Sequence, residues 1–428
     1  VACASTCATP SRPFVGKTVV LLRTSSTARA PVYRALRQKG LRIVMVHPFA
    51  NTEQFPAECI DEWIECDTTD VDRLYEILSA EPYAGNFDAV ASFDEYGVFP
   101  AAQLNQRFGL RPLPLTPAAL STVNIKSRFR HWCVKRGVAA PRFAPLMTPE
   151  ADPVAAVEEA KMNYPIVVKP APGAGSNLVT LVDDAAGLRA TVERLWGAIE
   201  AMRPTAAHFE ALGERIHVLL EEFVEGPEVD VDAIVEDGAV RFAGVSDNFP
   251  TARPYFSEVG GLAPSALAAP IQDDLTKLLE DFVAAMRDDG ERLHGVLHFE
   301  AKYDERRGVA VVIEVNCRMG SAETHTMVTS GFGVDLAEAA MRLALRMPLQ
   351  PLPRVHEPGR AARGTGVYAA SANLYPTKAG PLVEIVPPPA QPHLVRAMPF
   401  PMARGAPVKL PPESFGCLLW LPAPGPRA

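Results

Sequence analysis

The stretch Tyr164-Pro-Ile-Val-Val-Lys-Pro-Ala-Pro-Gly-Ala-Gly-Ser-Asn-Leu-Val179 joins a short apolar strand, ending on a lysine, to a loop of small residues. Lys169 supplies a fixed positive charge. The loop Gly173-Ala174-Gly175-Ser176 can bring backbone N–H groups close to phosphate oxygens, because glycine has no Cβ in the way. A Gly-rich run on its own is common in ordinary turns. The pattern therefore predicts a polyphosphate site only if matching ligands occur elsewhere in the chain.

Such ligands occur in Val311-Val-Ile-Glu-Val-Asn-Cys-Arg318, where Glu314, Asn316 and Arg318 recur at a spacing of two. On a strand this spacing places all three side chains on one face. Two oxygen ligands beside a guanidinium form a suitable site for Mg²⁺ and phosphate.

Composition narrows the class of protein. The 428 residues carry 42 basic and 50 acidic side chains, a net charge of −8, and no basic run that would follow a nucleic acid. No apolar stretch approaches the roughly 18 residues of a membrane helix. Seven cysteines without a CxxC pair indicate reduced thiols. We therefore expect a soluble cytoplasmic or organellar protein with neither nucleic acid nor membrane as partner.

The first part of the chain predicts an α/β domain. Residues 1–15 are expected to be disordered, and residues 16–115 to form a parallel sheet with helices. Strands are predicted at Thr18–Leu22, Arg42–Val46 and Phe87–Ser92, with a helix at Ala30–Lys39. No GxGxxG follows the first strand, so a dinucleotide site is not predicted there.

Three prolines between residues 110 and 117 indicate a domain boundary, and residues 116–345 are predicted to form a second domain. The Pro-rich residues 346–428 are interpreted as a small C-terminal domain or as a dimerisation element, which leaves a homodimer open. Predicted elements of the second domain are helices within 118–137, at Asp184–Met202 and at Gln272–Asp288, a hairpin turning at Glu236-Asp-Gly238, and antiparallel strands Gly295–Tyr303 and Val309–Val315.

An ordered series of motifs between residues 17 and 345 resembles the ATP-grasp superfamily. Two positions depart from the family pattern: Ile125 stands where aspartate is usual, and Ser321 where a second glycine is often found. The motifs that carry the resemblance are Asp94-Glu95, Ala101-Ala102, Phe108-Gly-Leu110, Lys126, Arg136-Gly-Val138-Ala-Ala-Pro141, Val168-Lys-Pro170, Glu221-Glu-Phe-Val-Glu-Gly226, Glu228, Glu300 and Ile313-Glu-Val-Asn-Cys-Arg318.

The resemblance implies a two-lobed α+β core after the α/β domain, with a lid at about 165–225. It also implies ATP with Mg²⁺, for which Mn²⁺ could substitute. The implied ATP-binding residues are Lys126 and Lys169 on the phosphates, Gly173, Gly175 and Ser176 in the closing loop, Glu221, Glu222, Phe223 and Val224 at the adenine, and Glu228 at the ribose. The implied metal ligands are Glu300, Glu314 and Asn316, and the implied catalytic groups are Arg318 and Lys169.

The segment Val245-Ser-Asp-Asn-Phe-Pro-Thr-Ala-Arg-Pro-Tyr-Phe-Ser-Glu258 is a polar loop of the kind that carries specificity. Its Ser-Asp-Asn-x-Pro-Thr run, followed by Phe-x-Glu, is similar to the carnosine-synthase-like and amino-acid-ligase branch of the superfamily. Arg253 and Arg318 are suited to a substrate carboxylate, and Glu258 to an ammonium group.

The resemblance implies a carboxylate–amine ligase that forms an acyl phosphate and releases ADP and phosphate. Its substrates would be small molecules, such as amino acids or related metabolites. No protein nucleophile is needed, in agreement with the lack of a Ser/His/Asp or Cys/His signature. Two alternatives remain at this level: a carboxylase or purine-pathway ATP-grasp enzyme, and a non-catalytic nucleotide-binding regulator.

Overall fold

The structure, a computed structural model, describes residues 12–25, 29–173, 175–201, 215–251, 253–320, 323–353, 356–375, 378–384, 386, 394–399, 404–408, 410 and 418–422. Most of the segment expected to be disordered, residues 1–11, lies outside this range. The expectation is wrong for its last part. Phe14 is fully buried, and its backbone N–H donates to the carbonyl of Lys39 at 3.1 Å. The ring of Phe14 packs into the core of the N-terminal unit, so the ordered chain begins before residue 16.

The N-terminal unit is the predicted α/β domain. Its sheet has the order β3-β2-β1-β4, and all neighbours are parallel. One face of α1 packs Val32, Tyr33 and Leu36 inward. Strand β3 and helices α2 and α3 were not predicted. The elements are β1 Thr18–Leu22, α1 Ala30–Gln38, β2 Arg42–His47, β3 Glu62–Glu65, α2 Val71–Ser79, β4 Ala89–Ala91 and α3 Glu95–Arg107.

Two helices lead into a second, antiparallel sheet of order β5-β8-β6-β7. Gly137, with φ of +70°, ends the second of these helices. The sheet includes β5, so it begins before the bounds 165–225 expected for a lid. The elements are α4 Pro117–Val123, α5 Lys126–Arg136, β5 Phe143–Leu146, α6 Pro153–Glu159, β6 Ile166–Pro170, β7 Thr180–Val182, α7 Ala185–Ala201 and β8 Val218–Glu222.

The third unit is built on an antiparallel sheet of order β13-β12-β9-β10-β11-β14-β18-β16. The predicted hairpin turns at Asp237 and Gly238, whose positive φ values of 51° and 75° suit a tight turn. The elements are β9 Glu228–Glu236, β10 Ala239–Asn248, β11 Gly260–Ala263, α8 Ala269–Asp288, β12 Gly295–Asp304, β13 Val309–Asn316, α9 Thr324–Phe332, α10 Leu336–Ala344, β14 Ala369–Leu374, β15 Gly380–Pro381, β16 Leu394–Pro399, β17 Pro407–Val408 and β18 Leu418–Pro422.

The C-terminal strands extend this large sheet. Strand β14 pairs with β11 from Gly260 to Ala263, and β18 continues the sheet beyond β14. Helix α8 packs on the other end of the sheet and buries Leu275, Leu279 and Phe282 in its core. No helix in the described ranges combines the length and the apolar character needed to cross a bilayer.

Candidate functional site

A cavity of about 740 Å³ opens between the lid sheet, β5 to β8, and the large sheet. The Gly-rich loop after β6 lines one side. The ends of β9, β12 and β13, together with the loop after β10, line the other. Every described residue that the sequence assigned to the site lines this cavity: Lys126, Lys169, Gly173, Gly175, Ser176, Glu221, Glu222, Phe223, Val224, Glu228, Arg253, Glu258, Glu300, Glu314, Asn316 and Arg318. The tertiary structure therefore gathers segments that are far apart along the chain.

Two lysines meet beside the Gly-rich loop. Lys126 begins α5, and its Nζ donates to the carbonyl of Gly173 at 2.6 Å and lies 3.1 Å from Oε1 of Glu314. The loop needs glycine for its backbone, because Gly173 and Gly175 have φ of +145° and +67°. Ser176 also has a positive φ, of 52°, which is uncommon for a residue with a Cβ.

Lys169 is held by a buried ionic network. Its Nζ lies 2.6 Å from Oε2 of Glu221, and the other oxygen of that carboxylate lies 2.8 Å from Nε of Arg130. Burial would raise the pKa of Glu221, but the charges of Arg130 and Lys169 outweigh it and hold that pKa below its usual range. Burial lowers the pKa of Lys169, which the Glu221 carboxylate opposes.

Residues 221–224 connect the two lobes at the end of β8. The carboxylate of Glu222 accepts hydrogen bonds from both terminal nitrogens of Arg307, at 2.9 and 2.8 Å, and it also forms an ion pair with Arg142. With Glu221 held by Lys169, both carboxylates in this segment are already paired with cations.

The ring of Phe223, in the same segment, lies close to two cations. The guanidinium of Arg253 lies 5.0 Å from the ring centre of Phe223, and Nζ of Lys302 lies 4.9 Å from it. Lys302 also faces Glu228, with 3.7 Å between Nζ and Oε2. Burial raises the pKa of Glu228, an effect that Lys302 reduces. Arg253 therefore lies beside the segment assigned to adenine.

The three proposed metal ligands meet on two adjacent strands. Glu300 on β12 pairs in register with Glu314 on β13, and Nδ2 of Asn316 donates to Oε1 of Glu300 at 2.8 Å. Burial, and then repulsion from Glu314, raise the pKa of Glu300 well above its usual value. Like charges directly opposite each other on a sheet are unfavourable unless a cation joins them. This donor set of two carboxylates and an amide oxygen fits a hard divalent cation.

Arg318 follows β13 and connects Asn316 to the N-terminal α/β unit. Its Nε lies 3.0 Å from Oε2 of Glu95, at the start of α3, and Nη2 donates to Oδ1 of Asn316 at 3.0 Å. The spacing of two predicted that Glu314, Asn316 and Arg318 share one side of the strand, and all three line the cavity.

The loop after β10 is attached to the lid sheet. The N–H of Leu181 on β7 donates to the carbonyl of Pro254 at 2.8 Å, and Thr180 forms an isolated bridge with Tyr255. Glu258 lies at the far end of the loop. Burial raises its pKa and Asp230 raises it further, while His298 and Arg318 act in the opposite direction. Glu258 and Arg318 thus belong to one end of the cavity and Arg253 to the other.

Several charged groups of the site were not predicted. They are Arg130 on α5, Asp230 and Asp232 on β9, and His298 and Lys302 on β12. The register places His298 opposite Asp232, Glu300 opposite Asp230, and Lys302 opposite Glu228. The alternation Glu228-Val-Asp-Val-Asp232 was visible in the sequence and indicates an acidic strand face. Arg130 carried no comparable signal.

His298 is a buried histidine that faces two carboxylates. Its Nδ1 lies 3.0 Å from Oδ1 of Asp232, and Nε2 lies 3.7 Å from Asp230. Burial lowers the pKa of His298, but Asp230 and Asp232 outweigh it and raise the value to about 10. Burial in turn raises the pKa of Asp230 to about 6. The cavity is therefore cationic near the Gly-rich loop and acidic along β9.

Comparison with known proteins agrees with this geometry. A family model for an ATP-grasp domain matches residues 162–326. Carnosine synthase 1 of Gallus gallus is 32% identical over 384 residues, which cover 84% of this chain and 40% of that protein. Carnosine synthase 1 of Homo sapiens is 30% identical over 362 residues, covering 80% of this chain and 42% of that protein. The chain thus spans about two-fifths of the length of these relatives.

Among solved structures, the L-amino acid ligase from Bacillus licheniformis superposes with a TM-score of 0.76. The match covers 95% of this chain and 93% of that chain, at 20% sequence identity. At this identity the likeness concerns the fold. It extends over the α/β unit, the lid sheet and the large sheet together.

Proposed function

Because the chain belongs to the ATP-grasp superfamily, we propose that it is an ATP- and Mg²⁺-dependent ligase that joins a carboxylate to an amine. The carboxylate substrate is an amino acid or a related small metabolite. The products are an amide or peptide bond, ADP and phosphate. The names of the relatives, carnosine synthase and L-amino acid ligase, support this choice of substrates.

One observation carries the proposal: a single cavity brings two lysines beside a Gly-rich loop together with paired carboxylates on neighbouring strands. Lys126 and Lys169 suit the phosphates of ATP beside the Gly-rich loop. Glu314 joins the two groups, because its Oε1 lies 3.1 Å from Nζ of Lys126. A nucleotide whose phosphates lie beside the two lysines would therefore have its terminal phosphate near Asn316 and Arg318.

The remaining nucleotide contacts are assigned by position. Backbone groups of residues 221–224 bind adenine, and Glu228 accepts from the ribose hydroxyls. Phe223, between Arg253 and Lys302, closes the outer side of this end. Gly173, Gly175 and Ser176 cover the phosphates. The family resemblance implies these assignments, and they are supported by the fact that all of these residues line one cavity.

Glu300, Glu314 and Asn316 would hold Mg²⁺, and Mn²⁺ has a similar preference for oxygen ligands. The bound ion would neutralise charge on the phosphates during transfer. The protein's own contribution is to hold two carboxylates close together on neighbouring strands, and to fix the amide of Asn316 between Glu300 and Arg318.

The family resemblance implies a reaction in two steps. A carboxylate oxygen of the acid attacks the γ-phosphorus of ATP, and the bond to the ADP oxygen breaks. The amine nitrogen then attacks the acyl carbon, phosphate leaves with the original carboxylate oxygen, and the amine loses a proton. Arg318 stabilises the transferring phosphoryl group or holds the carboxylate. Glu258 accepts from the ammonium form of the second substrate, and Arg253 contributes to substrate selection from the loop.

The test is a screen of amino acids in pairs, followed by ADP release and product mass. For each active pair, an ¹⁸O-labelled carboxylate is supplied. The acyl-phosphate route transfers one labelled oxygen to the released phosphate. ADP release without label transfer, or without any coupled product, would exclude the proposed route.

Variants of one lysine show whether activity arises at this site. Lys169→Ala should reduce turnover by about a hundredfold or more and weaken ATP binding, because a buried phosphate loses its nearest cation. Lys277→Ala, which removes a solvent-exposed lysine paired with Asp281, is the matched control and should leave both values unchanged. A Lys169→Ala rate equal to wild type would refute the assignment of the phosphate site.

Two alternatives are less favoured. A carboxylase or purine-pathway enzyme of this fold would share the nucleotide site, and dependence on biotin or bicarbonate would favour it. A nucleotide-binding regulator has no need of paired metal carboxylates such as Glu300 and Glu314. We further propose that residues 16–115, 116–345 and 346–428 act as three domains. The last of these contributes strands to the large sheet.

A further inference from the structure

Arg130 is the most deeply buried cation at the phosphate end of the cavity. It lies on α5 one turn after Lys126 and is 0% exposed. Its Nε lies 2.8 Å from Oε1 of Glu221, and its Nη2 donates to the carbonyl of Ile313 at 2.6 Å. It therefore contacts the carboxylate that holds Lys169, from the side opposite the lysine. It does not itself line the cavity wall.

The charges at this end do not cancel. Lys126 is balanced by Glu314, and Lys169 by Glu221. If only these four groups were present, each lysine would offer a phosphate a neutral pair. Arg130 adds one positive charge to the pair of Lys169 and Glu221. The buried group of three then has a net charge of +1, which solvent ions screen only weakly in the interior.

We propose that Arg130 is a positioning residue that neutralises Glu221, so that the charge of Lys169 remains available to a nucleotide phosphate. The inference rests on the proposed ATP-binding function. Glu221 lies against the ammonium group of Lys169 and offsets its charge, and Arg130 in turn offsets the charge of Glu221.

The protonation behaviour of the group agrees with this division of roles. Burial lowers the pKa of Lys169 and Glu221 raises it, so Glu221 opposes loss of the proton. The pKa of Glu221 is held low by Arg130 and Lys169 together, against the effect of burial. The carboxylate therefore stays ionised between two cations, and the group keeps its excess positive charge.

A purely structural role for Arg130 is the competing explanation, because its hydrogen bond to the carbonyl of Ile313 also joins α5 to β13.

A set of variants distinguishes a role of the Arg130 charge from a structural role: Arg130→Met, Arg130→Lys, Glu221→Gln and the double variant Arg130→Met/Glu221→Gln. Lys135→Met removes the same charge from an exposed position of the same helix and is the matched control. Binding of ATP and of adenosine is measured by calorimetry, with thermal unfolding to confirm folding.

If Arg130 acts through charge, Arg130→Met weakens ATP binding by about tenfold or more, since one unit of charge is lost near the phosphates in a medium of low dielectric constant. Adenosine, which lacks phosphates, binds as before. The double variant again has a net charge of +1 and recovers ATP affinity to within about threefold of wild type. Arg130→Lys keeps most of the affinity, and Lys135→Met all of it.

The inference is overturned if Arg130→Met binds ATP as tightly as wild type. It is also overturned if ATP and adenosine weaken in parallel, or if Glu221→Gln fails to restore the loss. Should Arg130→Met not fold, Arg130→Lys and the double variant decide the matter, because both keep the net charge and both must bind ATP. Absence of ATP binding by the wild-type chain would instead refute the proposed function.

Discussion

The Nε of Arg318 lies 3.0 Å from Oε2 of Glu95, so the side chain that also donates to Asn316 is anchored by the N-terminal α/β unit. Both side chains are largely buried, at 10% and 16% exposure. Burial raises the pKa of Glu95, and the Arg318 guanidinium reduces that rise. The orientation of Arg318 thus depends on a helix, α3, outside the cavity's two main sheets.

We expect Glu95→Gln to lower kcat by about tenfold with little change in ATP affinity, because the buried ion pair that orients the Arg318 guanidinium is lost. Steady-state kinetics and ATP titration measure the two effects separately. Asp94→Asn is the matched control, since this neighbouring carboxylate pairs with Arg23 instead, at 3.1 Å. Equal losses in both variants would attribute the effect to general disturbance of α3.

The proposed metal site predicts a difference between Glu314 and Asn316. Glu314→Gln should abolish turnover, because it removes a charged ligand and also the partner of Lys126. Asn316→Ala should be milder and partly restored by added Mg²⁺, since a neutral ligand contributes less to ion binding. Binding of Mn²⁺, followed by electron paramagnetic resonance, gives a readout independent of activity.

The control for the metal variants is Asn248→Ala. This amide also lines the cavity but donates to Asp230, at 2.9 Å, on the acidic strand face. It should leave the Mg²⁺ requirement unchanged. Unaltered Mn²⁺ affinity in Glu314→Gln and Asn316→Ala would contradict the ligand assignment.

Arg253 and Arg318 should affect different steps. Arg318→Ala removes the guanidinium beside Asn316, so it should reduce phosphoryl transfer. Arg253→Ala should raise KM for the acid or the amine and change the substrate profile more than it changes kcat. Its contact with Phe223 adds an effect on ATP, limited to about fivefold because an exposed cation–π contact contributes about 0.5–1 kcal/mol.

Kinetics across several acids and amines separate these roles. An Arg253→Ala enzyme with an unchanged substrate profile and unchanged KM values would remove this loop residue from substrate selection. A larger effect on ATP than on either substrate would assign Arg253 to the nucleotide. The ATP-grasp fold itself would be untouched by either result.

The contact between α1 and α10 predicts acid sensitivity. Asp335 faces His325 at 3.0 Å and also pairs with Lys39. Burial would raise the pKa of Asp335, but His325 and Lys39 outweigh it and hold it far below its usual 3.8. A carboxyl whose pKa is lower in the folded state contributes stability above its unfolded pKa, and loses it as the pH falls below that value.

Asp335→Asn should therefore lower the free energy of unfolding at pH 7 by on the order of 1–2 kcal/mol, and by progressively less below about pH 4. Asparagine can still cap α10, as Asp335 does through the N–H of Glu338 at 2.9 Å, so the change isolates the charge. Thermal unfolding from pH 3 to pH 8 measures it. A difference in stability that does not vary with pH would rule out this ionic contribution.

The sequence by itself determined the local elements and the chemistry they carry. The β-branched run of Thr18–Leu22 and the turn at Asp237-Gly238 specify their own backbone, because side-chain sterics and positive φ act within a few residues. The spacing of Glu314, Asn316 and Arg318 likewise predicted a shared strand face, because strands alternate with a period of two. These features are local, and the ordered series of motifs supported the family resemblance.

Only the tertiary structure decided which of these groups meet. Arg130 and Glu221, or Glu95 and Arg318, are distant in sequence, and no periodicity links a helix to a strand of another sheet. Folding buries these charges together. In the interior, where the dielectric constant is low, the attraction within each pair is stronger, and so is the effect of their net charge on a bound ligand. The packing of α5 against the strands therefore decided that Lys169 belongs to a group with Glu221 and Arg130. The spacing of residues along the sequence does not contain this information.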